Sequence, residues 1–113
     1  MDAPAGARRD SGAAQAVAKV VYSARALDHI ERAFQVLRDK NPGAALSAVE
    51  AIQSAVNNLA AHPLVGRRLE GELRELIISY GHSGYVALYR FVISRDEVRL
   101  LAIRHQRELG FQP

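Results

Sequence analysis

The sequence predicts an α+β fold with the element order β-α-α-β-β-β, in which an antiparallel sheet carries a helical hairpin on one face. Three observations lead to this prediction. Apolar residues recur at three- and four-residue spacing through the first half, as in amphipathic helices. An Asn-Pro-Gly break at 41–43 divides that half in two. The second half is rich in β-branched and aromatic residues, with short turn sequences between them, which is typical of a meander of strands.

The first half supplies one strand and the helical hairpin. The run VAKVVYS predicts a strand over 17–23, and Ser23 is a favourable N-cap for the helix that follows. Helices are predicted over 24–40 and 44–62, and the short break between them makes the two antiparallel. Their apolar stripes consist of Leu27, Ile30, Phe34 and Leu37 in the first helix and Leu46, Val49, Ile52, Val56 and Leu59 in the second.

Three further strands are predicted over 73–80, 85–93 and 97–105, separated by the turn sequences GHSG and SRD. Apolar residues occupy both faces of the last two strands. In one strand, Val86, Leu88 and Val92 alternate with Tyr85, Ala87, Tyr89, Phe91 and Ile93; in the other, Val98, Leu100 and Ala102 alternate with Leu101 and Ile103. One helical hairpin covers only one face of a sheet, so a partner protein is expected on the other.

The composition fits a single domain without disulfides. The chain has 113 residues, 49% of them hydrophobic, a net charge of +3 and no cysteine, which excludes thiolate metal sites and cysteine nucleophiles. All cations except Lys19 and Lys40 are arginine, whose planar fork suits an acidic partner or nucleic acid. Residues 1–16 lack periodicity and are predicted to be a disordered arm before a domain over 17–113. No apolar run is long enough to span a membrane, so a cytoplasmic protein is expected.

Four stretches, in this order and spacing, carry a resemblance to a known family: YSARALDHIERAFQVL, LAAHPLVGRRLEGELREL, GYVALYRF and VRLLAIRHQRE. Together they resemble the RelE/ParE superfamily of bacterial type II toxins over roughly 17–110, and their wording is most similar to the ParE-like, plasmid stabilisation branch. The resemblance implies a toxin that is held inactive, in a hetero-oligomer, by a cognate ParD-like antitoxin wrapped around the helical hairpin and the sheet.

The resemblance implies two possible activities. RelE-like members cut messenger RNA on the ribosome, and characterised ParE-like members poison DNA gyrase. Metal-independent RNA cleavage needs a base, an acid and cations around the phosphate, so the catalytic candidates are His105 and Arg74. The stretch over 73–91 contains only two arginines, Arg74 and Arg90, and no lysine, however. A ribosome-bound nuclease is expected to carry more cations.

Gyrase inhibition, the favoured interpretation, requires a binding surface and no catalytic residues. The candidates for target contact are Arg67, Arg68, Arg74, Arg104, His105, Gln106 and Arg107. The candidates for antitoxin contact are Tyr85, Tyr89, Phe91, Leu101 and Ile103. No spacing of His, Asp and Glu resembles a metal site, and no cofactor is expected.

Structural roles are the simpler interpretation of several of these residues. For His105, a structural role as a strand-end histidine bonded to the backbone is favoured over a catalytic role. Arg67 and Arg68 are expected in a solvated loop, functional only if they converge with Arg74 and the C-terminal arginines. His29, His62 and His82 are interpreted as surface or structural residues. A non-toxic protein-interaction module of the same fold stays open as an alternative function.

Overall fold

The computed structural model describes residues 17–81 and 83–113, so the predicted arm over 1–16 and His82 lie outside the described residues. It confirms the α+β class, with two helices packed on a five-stranded sheet. In chain order the elements are β1 (Lys19–Tyr22), α1 (Ala24–Arg38), α2 (Pro42–Asn57), β2 (Arg67–Glu70), β3 (Leu73–Tyr80), β4 (Ser83–Val92) and β5 (Glu97–His105). Short 3-10 turns at Asn58–Ala60 and Ile93–Arg95 follow α2 and β4.

The strand order across the sheet is β1-β5-β4-β3-β2. The predicted meander of β3, β4 and β5 is antiparallel throughout, but β1 runs parallel to β5. The sheet is therefore mixed, where an antiparallel sheet was expected. Tight turns force neighbouring strands to run antiparallel, whereas a strand separated from its partner by two helices is under no such constraint.

Strand β2 is an additional element, because Arg67 and Arg68 were expected in a loop. Arg67 pairs with Glu75 and Arg68 pairs with Arg74, which makes β2 the edge strand of the sheet. All four residues of β2 are exposed. Such a short, charged edge strand buries no side chain, so it carries none of the apolar alternation by which strands are recognised in a sequence.

Helix α1 begins at the predicted N-cap Ser23, whereas α2 begins at Pro42, inside the break predicted over 41–43, with Asn41 as its N-cap. The Ser23 hydroxyl accepts a hydrogen bond from Ala26 N at 3.0 Å and donates one to the Leu101 carbonyl at 3.0 Å. It therefore caps α1 and also fixes the start of that helix against β5. The Asn41 side chain accepts from Ala44 N at 3.2 Å, and Pro42 occupies the first turn of α2.

The helical stripes that face the sheet are richer in small residues than expected. Leu27 and Leu46 are 53% and 59% exposed, while Ala26, Ala45 and Ala48 are buried. Small residues let the helices approach the sheet closely, and the aromatic side chains of the strands fill the remaining space. The largest fully buried side chains are Tyr89, Ile52, Leu59, Leu100, Val56 and Val98.

A β-bulge in β5 decides which of its residues face the helices. Leu88 pairs with Ala102 but the next residue, Tyr89, pairs with Leu100, so Leu101 is the extra residue. Inserting one residue inverts the alternation beyond that point. The core therefore contains Leu100 and Ile103 and not the predicted alternating set.

Candidate functional site

The seven residues predicted to contact a target fall into two separate groups. Arg67, Arg68 and Arg74 lie on β2 and β3, at one edge of the sheet. The second group, here called the C-terminal edge, consists of Arg104, His105, Gln106 and Arg107, at the end of β5 and just beyond it.

The two groups do not converge. Arg74 pairs with Tyr89 of β4, and His105 pairs with Tyr85 of the same strand. Arg74 and His105 are therefore separated by four residues along β4 and by two strand spacings across the sheet, so their Cα atoms lie roughly 16 Å apart. The two catalytic candidates do not meet in this conformation, because the Arg74 guanidinium is bound to the carbonyls of Leu64 and Gly66.

In the β2–β3 group, each guanidinium contacts this chain's own acceptors. Arg67 Nη2 lies 2.9 Å from Glu75 Oε1, and Arg68 Nε donates to the Gly71 carbonyl at 3.2 Å. Arg74 Nη1 donates to the carbonyls of Leu64 and Gly66 at 3.1 and 2.8 Å. Arg74 thus holds the loop before β2, which is a structural use of the side chain.

Tyr89 of β4 anchors the same loop. Its hydroxyl donates to the Pro63 carbonyl at 2.8 Å and accepts from Gly66 N at 2.9 Å. Burial raises the pKa of Tyr89, and the Gly66 N–H and the Arg74 guanidinium offset part of that rise. A Cβ at position 66 would lie 2.6 Å from the Tyr89 ring and 2.7 Å from the Glu75 carbonyl oxygen, so only glycine fits here.

His105 is the centre of the C-terminal edge, and both of its ring nitrogens are in use. Arg107 N donates to Nδ1 at 3.1 Å, so Nε2 carries the proton and donates to Ser83 Oγ at 3.2 Å. The ring meets Tyr85 edge-on, with centroids 5.5 Å apart. Burial raises the pKa of the Tyr85 hydroxyl, and Tyr80 and the Glu108 carboxylate raise it further.

Arg104 organises the turn that follows β5. Its Nη1 donates to the carbonyls of His105 and Gln106 at 3.3 Å each and to that of Glu108 at 2.8 Å. Its guanidinium also lies over the Phe111 ring, 5.3 Å from the centroid. Arg104 therefore shapes the C-terminal edge, whereas Gln106 and Arg107 are exposed and lie where a target can reach them.

His29, interpreted from the sequence as a surface or structural residue, lies beside the C-terminal edge. It is 5% exposed and lies between β5 and the C-terminal segment. Ile103 N donates to Nδ1 at 3.0 Å, and Nε2 donates to the Gln112 carbonyl at 2.9 Å. Arg25 Nε donates to the same carbonyl at 2.8 Å. The position of His29, three residues after buried Ala26, is the sequence signal that would have indicated its burial.

Most of the predicted antitoxin contacts are core residues. Tyr85, Tyr89 and Ile103 are 5%, 0% and 3% exposed and belong to the cluster between the sheet and the helices. Phe91 and Leu101 are half-buried. The face that carries the tyrosines is the one that the helical hairpin covers, so Tyr89 is enclosed, whereas Tyr85 and Ile103 also line an open groove beside α1. Antitoxin contact through these residues stays a prediction.

Two features are absent from the part of the chain that the structure describes. Within 17–81 and 83–113, no group of three or more His, Cys, Asp or Glu side chains is placed to hold a metal ion. In the same part of the chain, neither helix has the length and apolar character needed to cross a membrane.

The geometry defines a small α+β protein with a helical hairpin on one face of a mixed sheet and a polar edge at the end of the last strand. A family model described as the ParE toxin of the type II toxin-antitoxin system, parDE, matches residues 20–110. The chain therefore belongs to the ParE toxin family, within the RelE/ParE superfamily of type II toxins.

Individual relatives agree with this assignment. The chain is 40% identical over 72 residues to Toxin RelE3 of Caulobacter vibrioides, a match that covers 64% of this chain and 76% of that protein. Among solved structures, the chromosomal ParDE toxin-antitoxin system of P. aeruginosa superposes with a TM-score of 0.66 at 22% identity, covering 80% of this chain and 98% of that one. The RelBE2 complex of Mycobacterium tuberculosis gives 0.55 at 20% identity, covering 80% and 99%. These structural likenesses show the fold.

Proposed function

We propose that this toxin inhibits DNA gyrase through its C-terminal edge, acts in the cytoplasm, and is neutralised in a hetero-oligomer by a ParD-like antitoxin. The observation that carries the proposal is the state of His105. Its Nδ1 accepts from Arg107 N and its Nε2 contacts Ser83 Oγ, so both ring nitrogens are used within the chain to shape the edge, which supports a binding role for this surface. The edge is built as a binding surface.

The neighbouring cations support the same interpretation. Arg104 is engaged with three backbone carbonyls, and Arg74 lies two strand spacings from His105 and is bound to the Gly66 carbonyl. A phosphate bound near His105 would therefore meet Arg107 without a second converging guanidinium from the predicted set. Gln106 and Arg107 can still supply hydrogen bonds, one of them charge-assisted, to an acidic surface of a protein target.

Two observations support an antitoxin partner: the chain belongs to a toxin family of toxin-antitoxin systems, and several solved structures with this fold are described as toxin-antitoxin complexes. Expressed alone in bacteria, the chain should arrest growth, and co-expression of the antitoxin encoded beside it should restore growth. Harmless expression of the folded chain would favour a non-toxic interaction module.

Substitution at the exposed end of the edge tests the target. Arg107→Ala removes a charge-assisted hydrogen bond worth about 1.5–3 kcal/mol and should weaken inhibition of gyrase supercoiling by roughly 10- to 100-fold. Arg95→Ala, in the turn between β4 and β5, is the matched control and should leave inhibition unchanged. Equal inhibition by the two variants would contradict the assignment of the edge.

Ribosome-dependent cleavage of messenger RNA is the alternative activity. If His105 is a general acid or base, His105→Ala should cost about 10²–10⁴-fold in cleavage and leave antitoxin binding intact. The intramolecular bonds of His105 argue for the other outcome, in which no RNA is cut by the parent protein.

A further inference from the structure

The edge strand β2 (Arg67–Glu70) is a surface that the proposed function leaves unused. It pairs with β3 on one side, and within the described residues no strand pairs with its other side. An edge strand presents a row of backbone N–H and C=O groups that another extended segment can bond. Three exposed apolar side chains, those of Leu64, Val65 and Leu69, lie in this strand and in the loop before it. The edge therefore offers both backbone groups and apolar area to a partner.

A bulge places the two opposite charges at the ends of β2 on one face of the sheet. Arg67 pairs with Glu75 and Glu70 pairs with Leu73, and the register shifts between Arg68 and Glu70. Paired residues share a face, and so do residues two positions apart in a strand, such as Leu73 and Glu75. Arg67 and Glu70 therefore share a face, whereas regular alternation over three positions would place them on opposite faces.

Two copies of β2 are complementary to each other in an antiparallel pairing centred between Arg68 and Leu69. Arg67 of each copy would then lie opposite Glu70 of the other, so a two-fold axis creates two pairs of opposite charge. Arg67 contacts Glu75 of its own chain at 2.9 Å, but its side chain is still largely exposed. Within the described residues, exposed Glu70 has no cation at salt-bridge distance, which leaves its carboxylate for a guanidinium of the second copy.

We propose that β2 is a dimerisation surface, to which a second copy of this chain adds in antiparallel orientation so that the two sheets join edge to edge. The inference rests neither on the target nor on the antitoxin. The charge pattern selects a second copy, because charged edge strands resist the addition of strands that do not match them. Strand β1, at the opposite edge of the described sheet, has Lys19 as its one charged residue and offers no such pairs.

The size of the surface sets the strength of the association. A four-residue strand and its apolar neighbours form a small interface, and interfaces below about 1,200 Å² are typical of weak and transient contacts. The dimer is therefore expected to form reversibly as the concentration of the chain rises. It would carry two copies of the C-terminal edge, because that edge lies at the end of β5 and not on β2.

Sedimentation equilibrium of the antitoxin-free full chain over a range of concentrations tests the proposal. The parent should change from one chain to two as the concentration rises. Glu70→Arg places like charges opposite each other twice in the dimer, so it should weaken dimerisation by about tenfold or more, and Arg67→Glu should do the same. Glu50→Arg makes the same charge change at an exposed position of α2 and should dimerise like the parent.

Mixing the two single variants is the sharpest form of the test. In a mixed dimer, the glutamate introduced at position 67 of one chain faces the arginine introduced at position 70 of the other. The native Glu70 and Arg67 face each other in the second pair. An equimolar mixture should therefore dimerise about as tightly as the parent, although neither variant does so alone.

Three results would overturn the proposal. The first is a parent chain that stays monomeric up to about 1 mM, where an association with a Kd in the millimolar range is already detectable. The second is a mixture that stays monomeric while circular dichroism shows both variants folded. The third is a dimer that Glu70→Arg leaves unchanged, or that Glu50→Arg weakens equally; this comparison decides alone if Arg67→Glu does not fold. Gyrase inhibition enters none of these measurements, so the proposed function is tested separately.

Discussion

Replacing His29 by leucine should lower the free energy of unfolding by about 2–4 kcal/mol. The imidazole accepts from Ile103 N and donates to the Gln112 carbonyl, and His29 is 5% exposed. Leucine would leave the Ile103 N–H buried without a partner, at about 1–3 kcal/mol, and would remove one further hydrogen bond worth about 0.5–1.5 kcal/mol. A domain of this size typically has about 5–15 kcal/mol of stability, so the variant should still fold.

Two conservative substitutions at the same position separate the two bonds. His29→Asn keeps an acceptor where Nδ1 lies and so retains the Ile103 bond, whereas His29→Gln keeps a donor that reaches the Gln112 carbonyl. The asparagine variant should therefore loosen the C-terminal segment, which Arg25 still contacts, while holding β5, and the glutamine variant should do the reverse. Amide hydrogen exchange over 103–112 measures both effects.

Urea unfolding measures the free energies, with His62→Leu, an exposed histidine in the α2–β2 connection, as the control. A loss below about 0.5 kcal/mol for His29→Leu, or identical exchange patterns for the asparagine and glutamine variants, would refute the description of His29 as the residue that joins β5 to the C-terminal segment.

Two further predictions concern the buried tyrosines. Tyr89→Phe should lower the free energy of unfolding by about 2–3 kcal/mol in urea, because it leaves the Pro63 carbonyl and the Gly66 N–H without their partner, and a loss below about 0.5 kcal/mol would contradict this. Stability should also fall as pH rises above about 10. Burial raises the pKa of Tyr85 and Tyr89, so the folded chain keeps protons that the unfolded chain releases there, and Tyr89→Phe should reduce the slope in a pH series of urea unfolding curves.

The helices and the central strands could be predicted because their patterns are local. Ser23 marks a helix start and the Asn-Pro-Gly break separates the two helices by their own chemistry, and the alternation in β3 to β5 reflects burial on the sheet. The family resemblance followed from the order of such segments. Strand β2 gave no comparable signal, since an exposed edge strand has no buried face to pattern.

The arrangement of the site depended on long-range geometry that no local pattern carries. The extra residue Leu101 inverts the alternation of β5, and this exchange decides whether Ile103 or its neighbour Ala102 joins the core under the helices. The two groups share arginine as their main residue type, but they are distant from each other in the sheet, because β4 lies between the strands that carry them. His29 acquires its role only from contacts with Ile103 and Gln112, 74 and 83 positions further along.

The most direct test of the proposed function is a paired assay of the antitoxin-free protein, with gyrase supercoiling in one arm and ribosome-dependent cleavage of messenger RNA in the other. We predict inhibition of supercoiling that Arg107→Ala weakens, together with intact messenger RNA on translating ribosomes. Cleavage of messenger RNA that His105→Ala abolishes, with supercoiling unaffected by the parent protein, would contradict the account.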